Sequence, residues 1–437
     1  MKYSTYFYIK SLAGIGEYEL LSSRGDDPSE HKRRPSGPRR RCLAFWSIVV
    51  CGTILIVAPF FVIVSIILPK ALDAYETSRL NLDGRYDRHG NSTYNAAVWS
   101  TELSQLVSPV PCHSHNDIWR PIPMFSALAV GCLSIEADVW LSPDGDDVLV
   151  GHDKRSLSSH RTLRSLYIDP MVQILNAMNQ RLPMEPFNAT AQAYGVFAQE
   201  PFTTLILHID VKDNPEKTWP LVIQKLAPLR EMGYLSRHDR TMNTKQTFWP
   251  GPITVVGTGN IARRRDVNYG ADLEEWLQQH DAFLDAPLHL LTETGFIESD
   301  GVYRPGALEN EFYTASAPLN KAIGNARLGF SKQQLTLLRK QIRIAKQRGL
   351  KSRLWGLPSW PISYRDYVWK TLVEEGIDLL NANDINSAAM KHWESIYLRE
   401  TVWIMVALSY LFLYTVGLVW YTKRLAVQRE SLRQAKV

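Results

Sequence analysis

Between about Gln105 and Met390 short apolar runs recur along the chain, each followed by a polar turn and a longer amphipathic stretch. The runs predict strands at Val110–His113, Leu133–Trp140, Val148–His152, Thr204–Val211, Ile253–Gly257, Ala282–Asp285, Tyr313–Ser316, Arg353–Gly356 and Ile377–Ala382. Leu205 to Val211 (LILHIDV) has the apolar density of a strand buried on both faces. Ser331 to Arg348 is the clearest helix. Ser331 can cap it with Gln334 at the capping-box position, Leu335, Leu338, Ile342 and Ala345 share one face, and Gly349 ends it. Alternating strand and helix over residues 105–392 predicts an α/β fold with a parallel sheet, and the length suits a (β/α)8 TIM barrel.

Two longer runs break this rhythm. Cys42 to Leu68 is 27 residues without a charge, and Thr401 to Thr422 is a second uncharged run with Trp403, Trp420 and Tyr421 near its ends. A bilayer core needs about 20 apolar helical residues, so both segments (42–69 and 401–422) are expected to be transmembrane helices flanking the barrel. The net charge of +5 sits in the tails. Residues 1–41 hold nine Lys/Arg against five Asp/Glu, and 423–437 hold five against one, which leaves the rest slightly acidic. A basic nucleic-acid face on the barrel is therefore not expected. Basic outer flanks place both termini in the cytoplasm and the barrel in a lumen or outside the cell. The sequons at Asn91 and Asn188 fit that side and suggest a glycoprotein. Residues 1–41 are expected to form a disordered cytoplasmic tail, 70–104 a linker and 423–437 a second tail.

Polar chemistry concentrates at the strand ends. Cys-His-Ser-His-Asn-Asp (112–117), Ile-Glu-Ala-Asp-Val (135–139), Val-Gly-His-Asp (150–153) and His-Ile-Asp-Val-Lys (208–212) all follow or finish apolar runs. Glu136 and Asp138 are two apart on a strand and share a face, as do Asp210 and Lys212. Acidic oxygens converging on a barrel mouth suit one hard divalent cation, Mg²⁺ or Ca²⁺. His113 and His152 add groups that titrate near neutral pH. A cation to screen phosphate charge, an acid and a base are what phosphodiester cleavage needs. Each cluster alone also reads as structural: a carboxylate can cap the next helix, and a histidine at a strand end can be a hydrogen-bonded support.

The run Gly131-Cys-Leu-Ser-Ile-Glu136-Ala-Asp138-Val-Trp-Leu-Ser-Pro-Asp144-Gly145, followed by Val148-Leu-Val-Gly-His152-Asp153, resembles the signature of glycerophosphodiester phosphodiesterases. Ile209-Asp210-Val-Lys212 resembles that family's third-strand Glu-x-Lys, with Asp in place of Glu. Trp355 and Gly376-Ile-Asp-Leu-Leu380 resemble its last two strands. The run His115-Asn-Asp-x-Trp-Arg-Pro121, with Arg161-Thr-Leu-Arg-Ser-Leu-Tyr-Ile-Asp-Pro170, is closer to the fungal altered inheritance of mitochondria protein six family. Members of that family carry a phospholipase-C-like phosphodiesterase barrel. The resemblance implies Glu136, Asp138 and Asp210 as metal ligands, His152 as the second catalytic histidine and Lys212 as a phosphate contact. The first motif departs from His-Arg-Gly. Spider-venom sphingomyelinases have a His followed three residues later by Asn, which matches His113 and Asn116. The first catalytic histidine is therefore expected at His113, with His115 the alternate and Asn116 a substrate contact.

The implied activity is that of a membrane-anchored phosphoric diester hydrolase acting on a membrane lipid or lipid-derived phosphodiester. Two other readings compete. A metal-dependent amidohydrolase would use His113-x-His115 but needs two further ligand histidines, for which His208, His280 and His289 are poorly placed. A catalytically silent barrel would serve as a binding or interaction module. In the barrel reading Cys112 lies near the top of strand 1 and Cys132 at the base of strand 2, so no bridge between them is expected.

Overall fold

The computed structural model describes residues 99, 103–180, 192–241, 246–261, 278–297, 303–305, 311–327, 329–391, 393 and 397–435. The first uncharged run, both sequons and the N-terminal tail lie outside the described residues.

All nine expected strands form. In chain order they are β1 (Val110–Ser114), β2 (Cys132–Leu141), β3 (Val148–Val150), β4 (Leu205–Val211), β5 (Ile253–Gly259), β6 (Ala282–Pro287), β7 (Phe312–Pro318), β8 (Lys351–Trp355) and β9 (Leu379–Ala382). Eight of them pair in parallel in the order β1-β9-β8-β7-β6-β5-β4-β2, and β1 closes the ring on β2. The ninth, β3, folds back antiparallel on β2, so it is a hairpin arm and not a stave. Gly145, at φ +76°, makes the turn of that hairpin, a conformation that disfavours any residue with a Cβ. The result is a closed eight-stranded parallel barrel.

Helices pack around the barrel: α1 (Phe125–Ala129), α2 (Asp169–Gln180), α3 (Pro215–Lys225), α4 (Ala227–Glu231), α5 (Leu319–Ile323), α6 (Lys332–Gln347), α7 (Ile362–Glu374) and α8 (Ile385–Met390). Ser331 and Gln334 form the expected capping box on α6, which buries Leu338, Ile342 and Ala345. Outward residues of the staves, such as Ile135, Ala137 and Val139, share one core with Leu128, Trp219, Leu338 and Val368. Inside the barrel Ile206, Val256 and Leu379 form a small separate apolar floor. Above that floor lies a layer of buried polar side chains, including His113, Ser134, His208, Asp285 and Arg353, which leads up to the site.

A ninth helix, α9 (Tyr397–Gln434), carries the second uncharged run. The side chains of 397–407 are outside the described residues. Among the described residues no helix is long and apolar enough to cross a membrane.

The structure corrects the expectation for the cysteines: Cys112 and Cys132 are joined in a disulfide, with Cα atoms 4.8 Å apart. Strand β2 starts at Cys132, and the register sets Val110 opposite it, with an irregularity in β1 between Val110 and His113. Cys112 therefore stands beside the start of β2, not at the far end of β1. The bridge closes a loop with a sequence separation of 20 residues. By loop entropy it is worth about 3 kcal/mol. Reduction, or replacement of both cysteines by alanine, should lower the melting temperature by several degrees, as read by calorimetry. An unchanged melting temperature would show that the bridge carries no stability.

Candidate functional site

Alternation along the staves decides which side chains enter the barrel. From β2 come Ser134, Glu136 and Asp138; from β4 come His208 and Asp210, with Lys212 just past the strand end; from β1 comes His113, with His115 just past the strand end. Register sets Asp138 against Asp210. Carboxylate oxygens of Glu136, Asp138 and Asp210 lie within 4.8 Å of one another. Among the described residues this is the one group that could hold a metal ion.

The three carboxylates are held differently. Asn116, in the left-handed region at φ 52°, turns its backbone N–H onto Glu136 Oε2 at 3.0 Å. Burial pushes Glu136 up, but His115, Arg353 and that N–H together pull it below its usual range. Asp138 is pushed up to about 6, by burial first and then by the charge of Glu136. Burial also raises Asp210, against the pull of Lys212. Lys212 Nζ bridges the pair, 2.5 Å from Asp210 Oδ2 and 3.0 Å from Asp138 Oδ1. Asp138 Oδ1 is nevertheless buried without a hydrogen bond, because the ammonium does not meet it in hydrogen-bond geometry. An oxygen-only donor set in which one buried carboxylate oxygen accepts no hydrogen bond fits a hard divalent cation.

Gly259, which sequence reading passed over, shapes this group. It sits at φ +70°, and a Cβ there would collide with Asp210 Oδ1. Gly259→Ala should push the Asp210 carboxylate aside and weaken divalent-cation binding by at least about tenfold, since a ligand is displaced. Titration calorimetry with Mg²⁺ and Ca²⁺ checks this, and wild-type affinity in the variant would refute it.

The two histidines of β1 occupy different layers. His113 is completely buried. Its Nδ1 lies 2.7 Å from Ser134 Oγ and its Nε2 2.8 Å from Arg353 Nη1, so both nitrogens are used. Burial first, then the Arg353 guanidinium, holds it well below its usual range and keeps it neutral. His115, one layer higher, is partly exposed, with Nδ1 2.7 Å from Asn383 Oδ1 and Nε2 3.8 Å from Glu136 Oε2. Of the two β1 histidines, His115 is the one that reaches the mouth, and His113 lies in the buried layer beneath it. The same depth difference removes the paired ligation that an amidohydrolase reading requires. Asn116 is buried and braces the site through its backbone N–H on Glu136.

His152 follows β3, which brings it back to the level of Asp138; Nδ1 is 3.3 Å from Asp138 Oδ2. Its ring lies 4.4 Å from that of Trp119. Asp117 is buried and accepts from Ser114 Oγ, the Met124 N–H and the Tyr167 hydroxyl, so it holds the turn after β1.

Beneath the mouth runs a polar layer that sequence reasoning missed. Arg353 of β8 reaches Ser316 Oγ at 2.9 Å, Asp285 Oδ2 at 3.2 Å and Asn381 Oδ1 at 3.2 Å, besides His113. His208 lies 3.0 Å from Ser134 Oγ and 3.4 Å from Thr314 Oγ1. Part of the signal was present: Asp285 is a charge inside an otherwise apolar strand segment, Ala282–Pro287.

His208 is buried and held neutral, by burial first and then by Arg353. Its lowered folded pKa means that the unfolded chain takes up the proton first as pH falls below 6.5. The stability it contributes is present above that pH and lost below it. The stability gap between wild type and His208→Asn should therefore shrink below pH 6.5 by up to about 1.4 kcal/mol per pH unit. Denaturation at pH 7.5 and 5.5 checks this; a gap independent of pH would refute it.

Residues 101–268 match the family described as AIM6-like phosphodiesterase domain. An "Altered inheritance of mitochondria protein 6 homolog" of Arthroderma benhamiae is 38% identical over 300 residues, covering 66% of this chain and 86% of that protein. The "Altered inheritance of mitochondria protein 6" of Lachancea thermotolerans is 36% identical over 305 residues, covering 65% of this chain and 66% of its own length. A crystal structure of a glycerophosphoryl diester phosphodiesterase from Parabacteroides distasonis aligns at 13% identity with a TM-score of 0.32, covering 68% of this chain and 91% of that one.

Proposed function

We propose, for a chain that belongs to the altered inheritance of mitochondria protein 6 family, that the barrel is a phosphoric diester hydrolase acting on a lipid or lipid-derived phosphodiester. The observation that carries the reading is the convergence at one barrel mouth of three carboxylates, a lysine and two accessible histidines. Glu136, Asp138 and Asp210 would hold one Mg²⁺ or Ca²⁺, which supplies Lewis-acid charge to a phosphoryl oxygen.

The chain's own groups do the rest. Asn383 accepts from His115 Nδ1–H, which leaves Nε2 as the base that takes a proton from the attacking hydroxyl. The attacker is the substrate's own hydroxyl or water. His152, its Nδ1–H held by Asp138, returns a proton through Nε2 to the leaving oxygen. Lys212 has a side chain only about a quarter exposed and directs its ammonium at the same point, against the phosphoryl oxygens. The test is hydrolysis of glycerophosphodiesters and lysophospholipids by the purified chain. No turnover of any diester, with metal supplied, would leave the barrel a binding module.

The two uncharged runs are read as membrane spans, with both tails cytoplasmic and the barrel luminal or extracellular. The basic flanks, the sequons and a buried disulfide, which persists in oxidising compartments, support that orientation. Glycosidase treatment should shift the mobility of wild type but not of a variant lacking Asn91 and Asn188. Tail epitopes protected inside sealed vesicles, with the barrel open to protease, would reverse the orientation.

A further inference from the structure

We propose that the barrel mouth carries an apolar subsite, built on Trp119 and Trp355, that takes the hydrocarbon chain of an alkyl or acyl phosphodiester. The proposal rests on the phosphodiesterase reading and narrows its substrate class, from lipid-derived diesters with or without a hydrocarbon chain to those that keep the chain.

Arg353 and Trp355 are two apart on β8 and so face the same side. Arg353 points into the barrel, where it meets His113 and Asp285. Trp355 therefore points toward the axis one layer higher, at the mouth, and it is 42% exposed. Trp119, in the turn after β1, is 61% exposed, with its ring against that of His152. Strands β8, β9, β1 and β2 are successive neighbours. The two indoles thus stand on either side of the Asn383–His115 pair that joins the ends of β9 and β1. Trp360, on the segment from β8 to α7, and Ile362, at the start of α7, follow Trp355 closely in the chain and are also exposed.

Across the mouth the pattern is opposite. Leu288 and Leu291 after β6, and Leu319 after β7, are buried. Among the described residues the large apolar side chains exposed at the mouth are therefore gathered on one arc, next to the catalytic histidines. Large indole faces left in water beside a phosphodiester site suit an apolar ligand with a polar end. Indole faces also hold quaternary ammonium groups. Here Ile362 offers no π face, and the exposed Lys154 and Arg155 just beyond His152 repel a second cation. The arc fits a chain better than an ammonium.

The test is calorimetric titration of the full-length protein in maltoside micelles with three diesters: hexylphosphocholine, hexyl glycerophosphate and glycerophosphocholine. Each methylene removed from water is worth about fourfold in affinity. Both hexyl diesters should therefore bind at least about tenfold more tightly than glycerophosphocholine. In the Trp119→Ser/Trp355→Ser double variant the hexyl advantage should fall below about threefold, with glycerophosphocholine binding kept. Trp360→Ser/Ile362→Ser, further from His152, should lose about fourfold of the same advantage. Equal affinity for all three diesters would overturn the proposal and leave the phosphodiesterase reading standing. So would tight binding of both choline diesters with weak binding of hexyl glycerophosphate, the pattern of an ammonium cage. Binding of none of the three would overturn both.

Discussion

Alanine at His115 should cut turnover at least about a hundredfold while the melting temperature stays close to wild type, and alanine at His152 should do the same. Both rings are partly exposed at the mouth, so little packing is lost with them. In the proposed mechanism each substitution removes a group that moves a proton in the transition state. Alanine at His113 should behave differently. In a fully buried layer it strips one of two acceptors from Arg353 Nη1, which keeps Asn381, and one of two partners from Ser134 Oγ, which keeps His208. A buried polar group left unpaired costs about 1–3 kcal/mol. His113→Ala should therefore lower the melting temperature by several degrees, and the molecules that remain folded should keep most of their turnover. Turnover per folded molecule, measured beside a thermal melt for all three variants, separates the roles. If folded His113→Ala is the more damaged enzyme and His115→Ala is nearly wild type, the assignment by depth fails. If neither exposed histidine matters, the barrel does not work by this acid–base chemistry.

Asp138→Asn should abolish activity and reduce divalent-cation affinity by more than about a hundredfold, since a central carboxylate oxygen becomes an amide donor. The barrel should survive. Asp138 is driven up to about 6 by burial and by Glu136, so its charge is a cost to the isolated fold. Lys212→Met makes the complementary point. It removes the ammonium that lies on Asp138 and Asp210. Cation affinity should rise while turnover falls at least about tenfold, because a phosphate-facing donor is lost. Calorimetry with Mg²⁺ and Ca²⁺ gives the first quantity, and diester hydrolysis with and without EDTA gives the second. Full activity in EDTA would remove the metal from the reading.

The positions of the strands were legible in the chain because a parallel strand buried on both faces is apolar along most of its length. Runs such as LILHIDV have no other stable use. The capping box at Ser331 and Gln334 was legible for a local reason, since its partners are three residues apart. Glu136, Asp138, Asp210 and Lys212 could be grouped because a spacing of two on a strand fixes a common face without knowledge of the partner strand.

Depth and register were not legible. His113 and His115 have the same parity, and only the closed barrel shows that one lies beneath Glu136, under Arg353, and the other at the rim beside Asn383. Those two partners sit 240 and 268 residues further along the chain. The disulfide was misjudged because its closeness depends on where β2 begins relative to the irregularity in β1, a register property. Val148–Val150 looked like a stave and is a hairpin arm, because strand periodicity does not specify direction. The sequence by itself determined which side chains could face the barrel's interior. Tertiary structure decided which of them meet solvent and which hold each other in the dry layer below, since that choice depends on strand stagger around a closed ring.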